Sequence, residues 1–515
     1  RSFGQRRCSQ LIYNAGRYYE RSGQTLRALD AYRQCGEENG IFSLLAQEAR
    51  KHAGVGNYWA LRQYYQALSD ADIQREPVLM TAMSVLYSVL MNAEKSEYWY
   101  ARLQEYAANA KDGDRSKANA QIAYLDIVLP HRGSKDLARI LRTVSALLRS
   151  SGDILRPVSL TNNQPSLMNG GKDFSAWSKR DDLLYSTIGR ALTAVLGKDG
   201  VGLADCAIAE SKFEKGEDVT GRMLSLLPQL NEVRNRGTPD MEFAVSGLLA
   251  RSQLANGQAM DARRTIEVLR ECFAERGLTR FLPNMDAMLC RIDMHTGDLD
   301  AADAWYREKA PRELTHLNVM RRYQYLTQAM VEMEDGRPDT VQLTLAPLEP
   351  YVQNCARIID GIHLNVLTAI ALYRKKDERW RERLTAALDA AAEYRFIRTV
   401  SVYGTAVLPL LEALDWDGDK KWYKQIMAAV RKQAAFYPHF LEPRLAPGEE
   451  LTPTELQILH LLCADKSNAE IAQIMDVKLP TVKTHVSHIL DKLNVKRRAE
   501  AKTAAKKLRL IPDDL

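Results

Sequence analysis

Lys483, Thr484 and Ser487 have types and spacing suited to reading the edges of nucleic-acid bases. They stand in TVKTHVSHILDKLNV, where Val482, Val486, Ile489, Leu490 and Leu493 recur at helical spacing and define an inward stripe. That stripe turns Lys483, Thr484 and Ser487 outward together in the first two turns of the helix. A lysine ammonium donates to guanine O6 and N7, and a threonine donates a hydrogen bond or meets a thymine methyl. Thr481 and the backbone N–H groups beside it suit a phosphate at the helix N-terminus. His488, Lys492, Lys496 and Arg497, with Asn468 one helix earlier, complete the candidate DNA-contacting set.

Charge points the same way. Between Lys478 and Arg509 ten Lys or Arg residues are opposed only by Asp491 and Glu500, a local excess of +8 against +6 for the whole chain. The remainder is therefore slightly acidic, which argues against DNA wrapping around it. Phosphate attraction of this kind weakens steeply with salt. The plainer alternative is a solvated basic helix face at a chain end.

Four short helices are expected to position these groups. Thr452 is a good N-cap, with Pro453 at the first helical position and Glu455 at the third. That helix runs to about Cys463 along Leu456, Leu459 and Leu462. Asn468 or Ser467 caps a second helix, AEIAQIM, and Asp476 to Lys478 form a tight turn. Leu479-Pro480-Thr481 opens the third helix, and a fourth runs from Arg497 to near Leu508.

Leu451 to Ile511, through LTPTE, SNAEIA, TVKTHVSHILDKLNV and RRAEA, resembles the LuxR-type helix-turn-helix without an insertion. The resemblance implies that Lys483, Thr484 and Ser487 approach the bases and that two copies act on paired half-sites. Lys478, Pro480 and Asn494 depart from the usual residues at their positions, which leaves base preference open. Upstream, IYNAGRYYERSGQTLRALDAYRQCGE, PSLMNGGKDFS and AAEYRFIRTVSVYGTAVLPLLEAL resemble segments of the large MalT-like regulators of that family. In those regulators an NTP-binding switch domain precedes the helical arm. No G-x-x-x-x-G-K-[ST] occurs in these 515 residues, and Asn169-Gly170-Gly171-Lys172-Asp173 lacks the magnesium-binding hydroxyl. The chain opens on Arg1 and is read as lacking, or cut from, that domain. ATP is expected only where the domain exists, and no cofactor is expected in this chain.

Almost everything before Pro447 reads as paired amphipathic helices. A glycine near the turn is followed five positions later by a small or branched residue: Gly23 and Ala28, Gly257 and Ala262, Gly297 and Ala302, Gly336 and Val341. The last three glycines recur at roughly 40 residues, a solenoid period. The expected fold is all-α: a helical arm over residues 1–75, then a TPR-like helical-repeat superhelix over 76–440. An irregular crossing interrupts it at about 151–181. A linker over 441–450 leads to a four-helix LuxR-type domain over 451–515.

Other chemistry finds little support. Seven scattered cysteines form no C-x-x-C pair, which disfavours a disulfide framework or zinc site and suits a reducing cytoplasm. No apolar run is long enough for a membrane span. His131, His295, His316, His363 and His439 are isolated in sequence, and no nucleophile has a partner base beside it, so the chain is not read as an enzyme. Aromatic clusters around Tyr58–Tyr65, Tyr98–Tyr106 and Trp305–Tyr325 fit either a ligand platform or the repeat core. The expected function is a DNA-binding regulator whose helical repeats sense a small molecule or partner protein. The alternative is a repeat scaffold with a terminal dimerisation module.

Overall fold

The computed structural model describes residues 2–51, 55–132, 173, 175–183, 185–186, 197–219, 221, 233–314, 317–442, 451–493, 495, 497–507 and 510–511. Among them there is no strand, and no helix is long and apolar enough to cross a membrane. Two compact units form, the first spanning residues 1–331 and 338–441 and the second residues 332–337 with the terminal residues 442–515.

The first unit is built from antiparallel helix pairs. They include α1 (Ser2–Arg21) with α2 (Thr25–Cys35), α3 (Pro77–Val89) with α4 (Ala93–Asn109), and, after the single helix α5 (Leu203–Glu214), α6 (Pro239–Ala255) with α7 (Ala259–Glu275). The series continues with α8 (Leu282–Thr296) and α9 (Leu299–Glu308), then α10 (Arg322–Glu334), then α11 (Pro338–Leu345), which packs on α12 (Ile358–Arg374), then α12 with α13 (Trp380–Tyr394), and α14 (Gly404–Ala413) with α15 (Lys420–Phe436). The members of a pair differ in composition and in burial. α3, α6 and α12 are buried on nearly every face. Their partners α4, α7 and α13 bury a single stripe, such as Ala262, Ile266, Leu269 and Phe273 in α7. A helix buried all round needs neighbours on every side, and stacked pairs supply them.

The turns repeat more regularly than the glycines do. At Gly257, Gly297 and Gly336 the backbone is left-handed, with φ of +80°, +76° and +65°. The following N–H reaches back to the carbonyl five residues earlier, as from Asp298 to Asp293 at 2.9 Å. The same turn stands at Gly216, and again at Lys376, where φ is +56° and Asp377 donates to Leu372 at 3.0 Å. These five turns fall 39 to 41 residues apart. The Lys376 turn has no glycine, so a search for glycines stops one repeat too early. Ala28, Ala262, Ala302 and Val341 are all fully buried, which is the close packing that the Gly-then-small pattern anticipates.

Most of the expected crossing at 151–181 lies outside the described residues, as do residues 443–450 of the linker. The described end of the crossing is fixed firmly. Asp173, 3% exposed, accepts the Ser175 N–H at 2.8 Å and the Ile359 N–H at 3.0 Å. It thereby caps α12 from 186 residues away in sequence. Half of the aromatic clusters is core: Tyr58, Tyr64, Tyr65, Trp99, Trp305 and Tyr325 are each at most 5% exposed, whereas Trp59, Tyr100, Tyr106, Tyr306 and Tyr323 are half-buried and Tyr98 is exposed.

Candidate nucleic-acid interface

The second unit folds around α16 (Pro453–Cys463), α17 (Asn468–Ile474), α18 (Leu479–Lys492) and α19 (Arg498–Lys507). Its core joins Ile458, Leu459 and Leu462 of α16, Ile471 of α17, Val482, Val486 and Ile489 of α18, and Ala501 and Ala505 of α19. Leu490, expected inside, is half-buried at its edge.

Local chemistry sets each boundary. Thr452 and Glu455 form a reciprocal capping box at the start of α16, and Ser467 and Glu470 form a second at α17. Ser467 is thus the cap, and Asn468 is the first helical residue. The turns after α16 and after α17 each pass through a left-handed aspartate, Asp465 at φ +61° and Asp476 at φ +53°. Aspartate tolerates this region better than most residues. The second turn closes by a 3.0 Å bond from the Val477 N–H to the Ala472 carbonyl and delivers the chain into α18.

On α18 the expected face is present. Thr481, Lys483, Thr484, Ser487 and His488 are all exposed, while Val482, Val486 and Ile489 beneath them are buried. Lys483 lies one turn before Ser487, and Thr484 one turn before His488, so the four form two adjacent rows. Lys483 makes no hydrogen bond or ion pair with a described residue. The Thr484 hydroxyl donates back to the Pro480 carbonyl at 3.2 Å, which spends its hydrogen and leaves the methyl and an oxygen lone pair for a base. His485, not singled out in the sequence, lies beside the Thr484–His488 row on the side toward the buried stripe, half-buried, with its Nδ1 unbonded among the described residues.

Other predicted residues turn to internal partners. Lys492 sits 2.7 Å from the Glu455 carboxylate and is 27% exposed. Burial works to raise the Glu455 pKa, but Lys492 and the Thr452 N–H and hydroxyl outweigh it and hold it down to about 2. Asn468, half-buried, accepts from Arg498 at 3.0 Å, and Arg498 also reaches the Lys466 carbonyl. Arg498 therefore ties α19 to the α16–α17 turn, and Lys502 joins it through Asp465 at 3.3 Å. Arg497 is exposed, and its N–H donates to Glu500 at 3.1 Å. Lys496 lies outside the described residues. Of the ten basic residues counted in the sequence, Lys478, Lys483 and Arg497 are thus the exposed ones whose side chains are described.

One arrangement elsewhere looks like catalytic machinery. His131, isolated in sequence, stands 2.8 Å from the Ser88 hydroxyl and 2.6 Å from the Glu97 carboxylate. Ser88, however, is 1% exposed on the enclosed helix α3, and Arg132 shares Glu97, so a substrate cannot reach the hydroxyl.

Comparisons with known proteins match this architecture in two blocks. Residues 224–416 match the MalT-like TPR region, and residues 449–505 match the luxR family of bacterial regulatory proteins. Among curated relatives, the HTH-type transcriptional regulator MalT of Cronobacter sakazakii is 26% identical over 52% of this chain and 32% of its own length. MalT of Vibrio campbellii is 24% identical over 54% of this chain and 33% of its own, and that of Yersinia pestis 25% over 58% and 34%. The similarity thus spans about a third of each relative. No solved structure matches the chain. The chain joins a MalT-like TPR region to a C-terminal helix-turn-helix domain of the LuxR family.

Proposed function

We propose that this protein is a DNA-binding transcriptional regulator in which the helical repeats sense a small molecule or partner protein and control use of the terminal domain. The observation that carries the DNA-binding part is the α18 face. Lys483 and Thr484 in the N-terminal half of the helix, with Ser487 and His488 one turn further on, stand exposed over a buried apolar stripe, on the helix that a helix-turn-helix sets in the major groove. Thr481, in its first turn, suits an adjacent phosphate. Two copies acting on paired half-sites follow by analogy with the family, and the setting is cytoplasmic.

Selection from a randomised duplex library tests the reading. The wild-type chain is expected to enrich a sequence, and Lys483→Ala to weaken its binding by about 1–3 kcal/mol while leaving random duplex bound nearly as before. Equal binding to every sequence, untouched by Lys483→Ala, would favour a repeat scaffold with a terminal dimerisation module.

A further inference from the structure

Helices α5, α6, α8, α10 and α15, with the short helix Arg398–Ser401, enclose a cavity in the first unit. Its polar lining is Arg251, Arg291, Arg398, His295, Tyr323, Ser401 and Gln433. Aromatic rings hold these groups in place. Phe213 lies 5.0 Å from the Arg251 guanidinium and 5.4 Å from that of Arg398, and Phe440 stacks on His295 at 3.7 Å.

The hydrogen-bonding of this lining is incomplete. Arg251 is matched by Glu210 and Glu214. Arg291 donates to the Thr327 hydroxyl at 2.7 Å and the Tyr323 carbonyl at 3.1 Å, both neutral. The Arg398 Nε–H is buried with no acceptor among the described residues. Burial lowers the Arg398 pKa, and Glu214 offsets that only in part. Among the described residues three guanidiniums of the lining thus meet two carboxylates, leaving one positive charge over.

His295 adds a complementary demand. Its Nδ1 lies 2.6 Å from the Arg291 carbonyl oxygen, so Nδ1 carries the hydrogen and Nε2 is a bare acceptor. Burial holds the ring neutral, with a pKa pushed down to about 4. Nε2 is buried without a donor, and the Ser401 hydroxyl, 1% exposed, is also unbonded among the described residues. Native interiors rarely leave several such groups unmet around one space.

We propose, resting on the reading that the repeats sense a small molecule, that this cavity takes a small hydroxylated anion. Its carboxylate or phosphate accepts from Arg398 beside Arg291, and its hydroxyl donates to His295 Nε2. The three arginines distinguish it from a neutral sugar site, because a neutral polyol leaves the surplus charge unanswered.

Calorimetric titration of the whole chain with gluconate, glucose 6-phosphate and sorbitol tests the assignment and separates the carboxylate from the phosphate. Saturable binding of at least one anion, at least tenfold tighter than sorbitol, is expected. Arg398→Met removes the unpaired cation, so it should weaken that anion at least tenfold while leaving the melting temperature unchanged or higher. Ser401→Ala should weaken it about threefold, and it decides the matter if the first variant fails to fold. The assignment falls if neither anion saturates, if sorbitol binds as well, or if neither substitution moves the affinity. The titration contains no DNA, so it fails or succeeds independently of the duplex selection on Lys483.

Discussion

At the scale of single residues, Thr484 and Glu455 make the sharpest predictions. The Thr484 hydroxyl is engaged by the Pro480 carbonyl, so a base meets chiefly the methyl group. Thr484→Val keeps a methyl on that face and should leave affinity for a selected duplex within about threefold, whereas Thr484→Ala should cost about 1 kcal/mol, measured by fluorescence anisotropy. Glu455 has a folded pKa of about 2 against 4.5 in the open chain. A depressed carboxylate stabilises the folded state above its unfolded pKa and loses that contribution as pH falls. The window here runs from about 4.5 down to 2, and the contribution is on the order of 2 kcal/mol. Glu455→Gln should therefore cost most of that near neutrality and almost nothing at pH 2, followed by urea unfolding of both proteins. The outward face of α18 was readable because Val482, Val486 and Ile489 fix which way the helix faces. The inward turn of Lys492 was not readable, since nothing in the spacing of Glu455 and Lys492 brings positions 37 residues apart together.

At the scale of elements, the helix-to-helix turn is the repeated device. Its conformation is set by hydrogen bonds, and residue type only tunes it. Gly297 has a φ of +76° with nothing within 4 Å of an added Cβ, so Gly297→Ala pays only the conformational cost, about 1 kcal/mol. Lys376 adopts the same turn with a side chain exposed to solvent. Lys376→Gly should stabilise by about 0.5–1 kcal/mol, the opposite sign at the equivalent position. Hydrogen exchange at the amides of Asp298 and Asp377, which close the two turns, reads both effects locally. Equal signs would mean that the two turns are not equivalent. The glycines exposed the period in the sequence, but Lys376 hid a copy. The Asp173 cap on α12 was invisible for a different reason: a contact across 186 residues leaves no local pattern.

For the whole molecule, charge separates the two tasks. The segment from Lys478 to Arg509 carries +8, and the rest of the chain is slightly acidic. The repeats thus repel the phosphate backbone weakly, and the salt dependence of DNA binding should belong to the terminal unit. Each phosphate contact adds about 0.9 to the slope of log affinity against log salt. Lys478 is exposed at the start of α18, so Lys478→Ala should lower the slope by about 0.9. Arg498 bears the same charge but spends its guanidinium on Asn468 and the Lys466 carbonyl. Arg498→Ala should leave the slope nearly unchanged while costing about 1–2 kcal/mol of stability. Anisotropy titrations of the full chain over a series of KCl concentrations measure both. A drop at Arg498 equal to that at Lys478 would mean that the charge acts as an undifferentiated cloud. Unequal drops would mean that folding has already sorted which of the basic residues hold the domain together and which are left for DNA.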